Sequence, residues 1–485
     1  MDGYQFGRGN KIGKKQVNLK DAKRCINWEM PWTVFLHLLI RFFFLMLLIL
    51  LPISKGASSF AMVAIGILLI IWLWEQKQSL WKLIRQNLPI AVLALPFLAY
   101  AVSLLYSENL TSGAKFLERE LNLLLPPLIV LIYQDFLRKY AKFLLAAFII
   151  GVSFGALFTL IFYFLPEDQS IALADRLSMI NLKPYQKLSL REAFGVYSPF
   201  MIRIQFSNLI ALACLSIVYL YSENFLRKWL IPTLVLLLFT SAILGGRGGQ
   251  LGLMLAFGVW VLGGYFYKIH PILKEKLTAL GSYALLVLLL LGAFIVTPYA
   301  IYKSVPAVTE RYNQLLWEIS LYQSGEYVQH DYVHFTSLRR IISYQNSWEL
   351  IQQQPILGVG VGDYAAEMKT IYAKNHPEFP VNSHNHLLFV WANAGLLGVF
   401  TFLFSIVYWL WHFWRKTQSW TRIFGLSLMA FFLSIMMLEA MINQVDLMAF
   451  GLFLGIVFLW PSHPQKNVHA FEAFREVWSG QKNRT

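Results

Sequence analysis

Long apolar runs recur along this chain, and they restrict it to a membrane protein built from helices. A helix needs about 20 mostly apolar residues to cross the hydrocarbon core of a bilayer. Charged residues make up only 14% of the chain against 57% hydrophobic ones, which excludes a soluble globule and a disordered protein. The sequence therefore predicts an all-α polytopic membrane protein. Its roughly twelve spans lie approximately at 33–53, 57–74, 88–106, 117–133, 141–164, 199–221, 229–246, 249–267, 278–302, 385–414, 423–443 and 445–461.

Positive charge is distributed unevenly between the segments that join these spans. The chain carries a net charge of +15. Lysines and arginines gather in alternate segments, at 8–24, 77–85, 138–142, 227–228, 268–276 and 415–422. Cytoplasmic loops carry an excess of these residues, so we expect both termini in the cytoplasm. Because the cations flank spans and form no basic groove with stacked aromatic rings, the net charge does not indicate nucleic-acid binding.

One loop differs from the others in its length. Residues 303–384 separate the ninth and tenth predicted spans, whereas only a few residues usually join two helices. Aromatic residues throughout this loop and helical apolar spacing around Ile341–Ile351 predict a folded, mostly helical extracytoplasmic domain. The predicted organisation is a basic N-terminus at 1–32, nine spans within 33–302, the loop domain at 303–384, three spans within 385–461 and a cytoplasmic tail at 462–485.

Three arginines near or within the predicted spans are candidates for binding an anionic group. Arg247 lies between two pairs of glycines that join two spans almost without a loop, and glycines let a ligand approach the backbone closely. The alternative is a flexible turn with an incidental cation. Arg203 begins a long apolar run, where it is either functional or an interfacial anchor. For Arg41, within the first span, helix packing, a lipid headgroup and a substrate are all open.

Residues 339–374 combine arginines, glycines and two predicted helices. Arg339 and Arg340 begin the first helix, and Gly358-Val-Gly360-Val-Gly362 precedes the second, from about Asp363 to Lys374. A glycine-rich turn before a helix can bind phosphate through its amides. This segment lacks both the Lys-Ser/Thr of a Walker A loop and the third glycine of a dinucleotide fingerprint. A tight turn between two packed helices is the better interpretation of the glycines.

Two histidines close the long loop, in Ser383-His384-Asn385-His386. Residues two apart do not share a helix face, so the pair does not form an HExxH-type metal site, and the outer loops contain no Asp-x-Asp pair for a divalent cation. A neutral imidazole with an ordinary pKa of about 6.5 can act as a general base, and the alternative is a polar helix cap. Glu439 and Asp446, near the last loop, are unpaired in the sequence, which leaves packing and proton transfer open.

Three motifs together resemble the bacterial O-antigen ligase family, over roughly residues 90–460. His384-Asn385, nine residues and Gly395-Leu-Leu-Gly398 resemble the H-[NSQ]-x9-G-x-x-G signature of these enzymes. Arg340-x3-Tyr344 with Pro355-Ile-Leu-Gly358-Val-Gly360 is similar to the block that precedes their histidine. Gly246-Arg247-Gly248 is similar to their Ser-Arg-Gly turn, with Gly246 in place of the serine. A further departure is Val399-Phe400, where Thr-Gly or Gly often follows the signature.

The resemblance implies a GT-C-like fold of about 12 transmembrane helices, with the large loop between spans 9 and 10 in the periplasm. It implies a metal-independent, inverting glycosyltransferase of the bacterial inner membrane that needs no cofactor. The donor would be a glycan on undecaprenyl pyrophosphate, and the acceptor a sugar hydroxyl of the lipid A-core. His384 would be the general base and Arg247 and Arg340 would bind pyrophosphate. Arg203, Arg339 and His386 are further substrate-binding candidates, and His386 is also an alternative base.

Two other functions stay open. The wider superfamily contains O-antigen polymerases, which use a second lipid-linked repeat unit as acceptor, and the two departures from the ligase pattern leave that reaction possible. A transporter of lipid-linked glycans is the third function. Transporters tend to show inverted repeats and polar sites near the middle of the membrane, whereas the polar candidates here gather at the outer ends of the spans.

Overall fold

The computed structural model describes residues 32–75, 79–166, 200–269, 292–296, 306–329, 337–377, 383–416, 420–439 and 451–453, with a few isolated residues between them. Every regular element in these ranges is helical, which confirms the predicted all-α class. The α-helices are α1 (Trp32–Leu50), α2 (Lys55–Glu75), α3 (Leu80–Gln86), α4 (Leu88–Val92), α5 (Leu95–Ser103), α6 (Leu110–Ile132), α7 (Gln134–Phe164), α8 (Arg203–Ser222), α9 (Arg227–Leu244), α10 (Arg247–Gly264), α11 (Pro306–Ser324), α12 (Leu338–Gln353), α13 (Tyr364–Asn375), α14 (His386–Lys416) and α15 (Trp420–Leu438).

Within the described ranges, eight helices are long and apolar enough to cross a membrane. They lie at Trp32–Leu50, Gly56–Glu75, Gln134–Phe164, Arg203–Ser222, Arg227–Leu244, Gly248–Lys268, His386–Arg415 and Trp420–Leu438. The protein is therefore a polytopic helical membrane protein. The predicted spans at 278–302 and 445–461, like the segments 1–31 and 454–485, lie almost entirely outside the described residues, so the count of twelve stays a prediction.

The third predicted span, 88–106, is broken into short helices. Pro89 and Pro96 each lie at the start of a new helix, because proline fits a first helical turn but cannot supply the N–H that a helix interior needs. At the break, the carbonyl oxygen of Val92 accepts a hydrogen bond of 2.9 Å from the buried hydroxyl of Ser405 on α14. This bond gives the backbone carbonyl of Val92 a hydrogen-bond partner, which the hydrocarbon core of the membrane could not supply.

Helices α10 and α15 pack together in opposite directions. Gly252 of α10 lies against Phe431 and Ser434 of α15, and Gly263 lies against Ile423. The later glycine of α10 contacts the earlier part of α15, so the two helices are antiparallel. The start of α10 therefore lies beside the end of α15. The glycines lack a side chain and allow the two helices to approach closely.

The two ends of the helix bundle carry different residues. Helices α8, α10 and α14 begin at one end, which we call the site end, and α9 and α15 finish there. The other, basic end is defined by the cations Arg227, Lys228, Lys268, Arg415 and Arg422. Lys142 and Glu223 form an ion pair of 2.9 Å at this basic end. The positive-inside rule predicts that it faces the cytoplasm.

The described parts of the long loop are helical and joined by polar contacts. Glu318 of α11 is buried and accepts hydrogen bonds from the amides of Ser337 and Leu338, at 2.6 and 2.9 Å, at the start of α12. Glu349 links α12 to α13 through Asn375 and Lys374, and these hydrogen bonds lower the pKa of its carboxyl below the ordinary value. The bounds of this domain and its periplasmic side stay predictions.

Candidate active site

Helix α12 presents two side chains to the end of α15. Arg340 and Tyr344 are one turn apart and therefore lie on the same face of α12. Nε of Arg340 donates to the carbonyl oxygen of Leu438 at 3.2 Å, and the hydroxyl of Tyr344 donates to that of Met437 at 2.7 Å. The last carbonyls of a helix have no partner within that helix. The Arg-x3-Tyr spacing thus supplies two donors to the end of α15.

Tyr344 also reaches the histidine segment, since its hydroxyl lies 3.3 Å from the carbonyl oxygen of His384. Burial raises the pKa of this hydroxyl, with a lowering influence from Arg340 and a raising one from Glu439. The hydroxyl therefore keeps its proton at neutral pH and serves as a donor. One side chain of α12 thus touches both the end of α15 and the backbone before α14.

Glu439, the residue after α15, joins the arginine to the histidine. One carboxylate oxygen lies 2.6 Å from Nη2 of Arg340, and the other lies 3.0 Å from Nδ1 of His384. The side chains of Arg340 and Glu439 are each 21% exposed and that of His384 is 17% exposed, so water screens these contacts less than it screens a surface pair. We call Arg340, Glu439 and His384 the Arg–Glu–His cluster.

The backbone around His384 is held in place by its neighbours. The amide of His384 donates to Oγ of Ser343 at 3.2 Å. The next residue, Asn385, accepts a hydrogen bond of 3.1 Å from the amide of Leu388, which is the contact of a side chain that caps a helix N-terminus. Asn385 therefore caps α14, which begins at His386. The second ring nitrogen of His384, Nε2, is buried and makes no hydrogen bond within the described part of the chain.

His386 lies in different surroundings from His384. It is 2% exposed, and its ring packs against Phe389 and Phe402. It lines a small, mostly apolar cavity between the helices, together with Leu93, Pro96, Leu123, Phe402, Ser405, Ile406, Trp409, Met429 and Met436. The structure thus separates the two histidines that are adjacent in the sequence motif. A role for His386 in substrate binding stays a prediction.

Arg203 and Arg247 are the first residues of two neighbouring helices, α8 and α10. Ser207 of α8 donates to the carbonyl of Gly246 at 3.0 Å, and a Cβ at Gly246 would lie 2.3 Å from that of Ser207. Only glycine lets the turn approach α8 this closely. The same Cβ would lie 3.4 Å from the carbonyl oxygen of Arg203, so the two helix N-termini are side by side. The side chain of Arg247 lies outside the described part of the structure.

The turn before α10 lies at the same end of the bundle as the Arg–Glu–His cluster. Gly252 of α10 is opposite Ser434 of α15. Arg247 precedes Gly252 by as many residues as Glu439 follows Ser434. Because the two helices are antiparallel and have the same rise per residue, the backbone of Arg247 is level with Glu439.

The glycine-rich segment 358–362 is docked on another helix. The amides of Val359 and Gly360 donate to the carbonyl oxygens of Ala392 and Asn393 on α14, at 2.8 and 3.1 Å. These amides already have partners and do not form a phosphate cradle. The interpretation of the glycines as a tight turn against packed helices is confirmed.

The other residues singled out in the sequence lie elsewhere. Arg339 neighbours Arg340 on α12, and adjacent helical residues do not face the same way. The guanidinium of Arg41 lies over the ring of Phe136, 5.4 Å from its centroid, which is a packing contact. Asp446 lies outside the described residues. Among the residues that are described, no group of three or more His, Cys, Asp or Glu side chains could hold a metal ion.

Sequence reasoning did not place Glu439 in the site. It lies 55 residues after His384, beyond a complete pair of helices, so no local spacing connects the two. The available signal was that an ionisable residue at membrane depth is costly and is often functional. That signal does not name a partner, and only the packing of α12, α14 and α15 does.

Residues 232–403 match the family model described as O-antigen ligase. The matched segment contains Arg247, Arg340 and His384, whereas Arg203 and Glu439 lie outside it. No curated protein matches the chain.

Proposed function

The match over residues 232–403 confirms the predicted kinship with the O-antigen ligase family, and from this premise we propose that the protein transfers a glycan from undecaprenyl pyrophosphate to a sugar hydroxyl of the lipid A-core. The reaction takes place on the periplasmic side of the inner membrane. It is metal-independent, needs no cofactor and inverts the anomeric centre.

The observation that carries the proposal is the meeting of three distant residues at the site end of the bundle. His384 and Arg340 share the carboxylate of Glu439, and the backbone of Arg247 is level with that carboxylate. Glycosyl transfer from a lipid pyrophosphate needs a base for the acceptor hydroxyl and positive charge for the leaving group. The candidate base and the candidate arginines lie where the apolar helices end. A lipid pyrophosphate would place its polar group at the same level.

The leaving pyrophosphate takes negative charge as the glycosidic bond breaks. Arginine binds phosphate oxygens with its planar fork and stays charged. Arg203 and Arg247 begin α8 and α10, so that two helix N-termini, which favour anions, add to their charge. Arg340, whose guanidinium lies in the Arg–Glu–His cluster, is the second arginine assigned to the pyrophosphate, and Arg339 is a further candidate on the same helix.

His384 is the general base of the proposed reaction. It accepts the proton of the acceptor hydroxyl, whose oxygen attacks the anomeric carbon from the face opposite the pyrophosphate. The new C–O bond forms as the bond to the phosphate oxygen breaks, and its electron pair leaves with the pyrophosphate. His386 is the alternative base or a substrate contact, but its ring packs against Phe402 and lines a mostly apolar cavity.

Substitution of the base and of the turn arginine tests the assignment. We expect His384→Ala and Arg247→Ala to lower transfer by about 10²-fold or more, as is usual for the loss of a general base or of a charge-stabilising group. Transfer is measured in membranes with lipid-linked donor and lipopolysaccharide acceptor, and the amount of inserted protein is measured in parallel.

Arg227→Ala is the matched control for the arginine. Arg227 is also the first residue of a helix, but it lies at the basic end, where its Nε donates to the carbonyl of Tyr221 at 3.0 Å. We expect this variant to keep wild-type transfer. Full activity of both His384→Ala and Arg247→Ala would reject the assignment.

Gene deletion separates the ligase from the polymerase. For a ligase, polymeric glycan stays on the lipid carrier and the lipid A-core is left without it. For a polymerase, the core carries a single repeat unit. The composition of lipopolysaccharide and of the lipid-linked pool in the deletion strain decides between the two acceptors.

A further inference from the structure

Glu439 lies outside the segment that matches the family model, yet its carboxylate contacts the proposed general base at 3.0 Å. We propose that Glu439 is a positioning residue for His384, which it holds with Nε2 toward the acceptor hydroxyl. This inference rests on the proposed function, because it needs His384 to act as the base. It extends the catalytic unit to the end of α15.

The contact selects one form of the imidazole ring. An ionised carboxylate only accepts hydrogen bonds, so a neutral His384 carries its proton on Nδ1, where it faces Glu439. The lone pair is then on Nε2. Nε2 is buried and makes no hydrogen bond within the described ranges, so it is the ring atom left to receive a proton from a bound hydroxyl.

Arg340 holds the carboxylate in this orientation. Its Nη2 binds the second oxygen of Glu439 at 2.6 Å, and its Nε binds the carbonyl of Leu438 at 3.2 Å. The carboxylate is therefore fixed by a cation on one oxygen and by the histidine on the other. The arginine also keeps the carboxylate ionised, because an adjacent positive charge favours the charged form.

The carboxylate also matters after the proton has moved. When the acceptor oxygen bonds to the anomeric carbon, its proton passes to Nε2 and the ring becomes an imidazolium. Glu439 stabilises this cation through Nδ1–H, while the electron pair of the broken bond leaves with the pyrophosphate. The proton later returns to water, so Glu439 itself neither gains nor loses a proton in the reaction.

Glu439→Gln tests the inference in the full-length protein. The amide keeps the size of the side chain but removes its charge, and its NH2 group can face Nδ1 and favour the wrong tautomer. Replacing the carboxylate that orients a catalytic histidine lowers kcat by as much as about 10⁴-fold. We expect a fall in kcat of about 10²-fold or more, with the KM for the lipid-linked donor within about threefold of wild type.

Glu439→Asp is the conservative variant and decides the matter if the glutamine variant does not accumulate. It keeps the charge but draws the carboxylate back by about 1.5 Å, the length of one carbon–carbon bond. We expect its kcat to lie between those of Glu439→Gln and wild type, and at least about tenfold below wild type. A wild-type kcat for either variant would overturn the inference, as would a loss expressed only in KM.

Glu223→Gln is the matched control, since Glu223 is also a half-buried, ion-paired glutamate at the end of a helix. Its side chain is 19% exposed and it binds Lys142 at the basic end. We expect wild-type kcat and KM for this variant. The outcomes also separate this inference from the proposed function. Wild-type activity of His384→Ala rejects the base itself, whereas loss in His384→Ala together with full activity in Glu439→Gln rejects only the positioning role.

Discussion

Arg340 and Tyr344 fix the last turn of α15, from which Glu439 emerges. Both donate to carbonyl groups that a helix cannot satisfy itself, and the cation is favourable at the negative end of the helix dipole. The orientation of Glu439 therefore depends on α12 as much as on α15. At the scale of single residues, side-chain donors from one element set the position of a carboxylate that belongs to another.

The hydroxyl of Tyr344 is expected to support both stability and rate. Tyr344→Phe removes the 2.7 Å hydrogen bond to the carbonyl of Met437. Loss of a hydrogen bond of this kind costs about 1 kcal/mol of unfolding free energy. We expect a lower melting temperature and a fall in kcat of about tenfold, because the last turn of α15 loosens, with the donor KM unchanged. Thermal unfolding and initial rates measure the two effects.

Tyr312→Phe is the control for this variant. Tyr312 lies on α11 and is 49% exposed, and its ring contacts that of Tyr302. Since phenylalanine keeps the ring, we expect no change in melting temperature or rate. Equal behaviour of Tyr344→Phe and the control would show that the hydroxyl does not support the site.

At the scale of elements, an interruption in α14 docks part of the long loop on this helix. Gly395 has φ +58° and ψ −150°, and the helix is not regular there. The amide of Leu396 donates to the carbonyl of Ile356 at 2.9 Å, while that of Val359 donates to Ala392 at 2.8 Å. A Cβ on Gly395 would lie 2.1 Å from the carbonyl oxygen of Ile356. The first glycine of the G-x-x-G motif is thus a docking point for the loop.

Gly395→Ala is expected to detach this contact. The added methyl group meets backbone rather than a movable side chain, and a positive φ is strained for alanine, so we expect a loss of about 2–4 kcal/mol of stability and of most activity. Thermal unfolding and protease cleavage of the loop are the measurements. Gly66→Ala in α2 is the control, because no atom lies within 4 Å of its added Cβ. An unfolding temperature for Gly395→Ala equal to that of this control would contradict the docking role.

At the scale of the whole molecule, the alternating direction of the helices collects the proposed site at one end and basic residues at the other. Arg203, Arg247 and His384 lie at or next to helix starts, whereas Glu439 follows a helix end. Four positions far apart in the sequence therefore lie at the same end of the bundle. The basic end is predicted to be held at the cytoplasmic leaflet, whose anionic lipids attract lysine and arginine.

Cysteine labelling from the two sides of the membrane tests this orientation. In a Cys25→Ser background, Cys214 is 2% exposed and is expected not to react. We expect Gln352→Cys, exposed at the end of α12, to react with an impermeant maleimide applied from the periplasm. Lys228→Cys, at the basic end, should react only after the inner membrane is opened. The reverse labelling pattern would invert the predicted topology.

The sequence was sufficient for the features that depend on local composition and spacing. Runs of apolar residues predicted the helices, since length and hydropathy alone decide whether a segment can cross a bilayer. Motif order predicted the family, and it named Arg340 and His384, which the structure brings together through Glu439. Proline positions in 88–106 could have indicated the break in the third span, but apolar composition outweighed them.

Only the tertiary structure decided which residues from different helices contact one another, because no local spacing in the sequence connects them. The sequence by itself determined an all-helical membrane protein that resembles the O-antigen ligase family, because hydrophobicity and motif spacing are properties of the chain. Packing decided that His384 faces Glu439 while His386 faces an apolar cavity, and that the glycine-rich amides are bound to α14. The physical reason is that a hydrogen bond or an ion pair acts over about 3 Å in space, regardless of how many residues separate its partners.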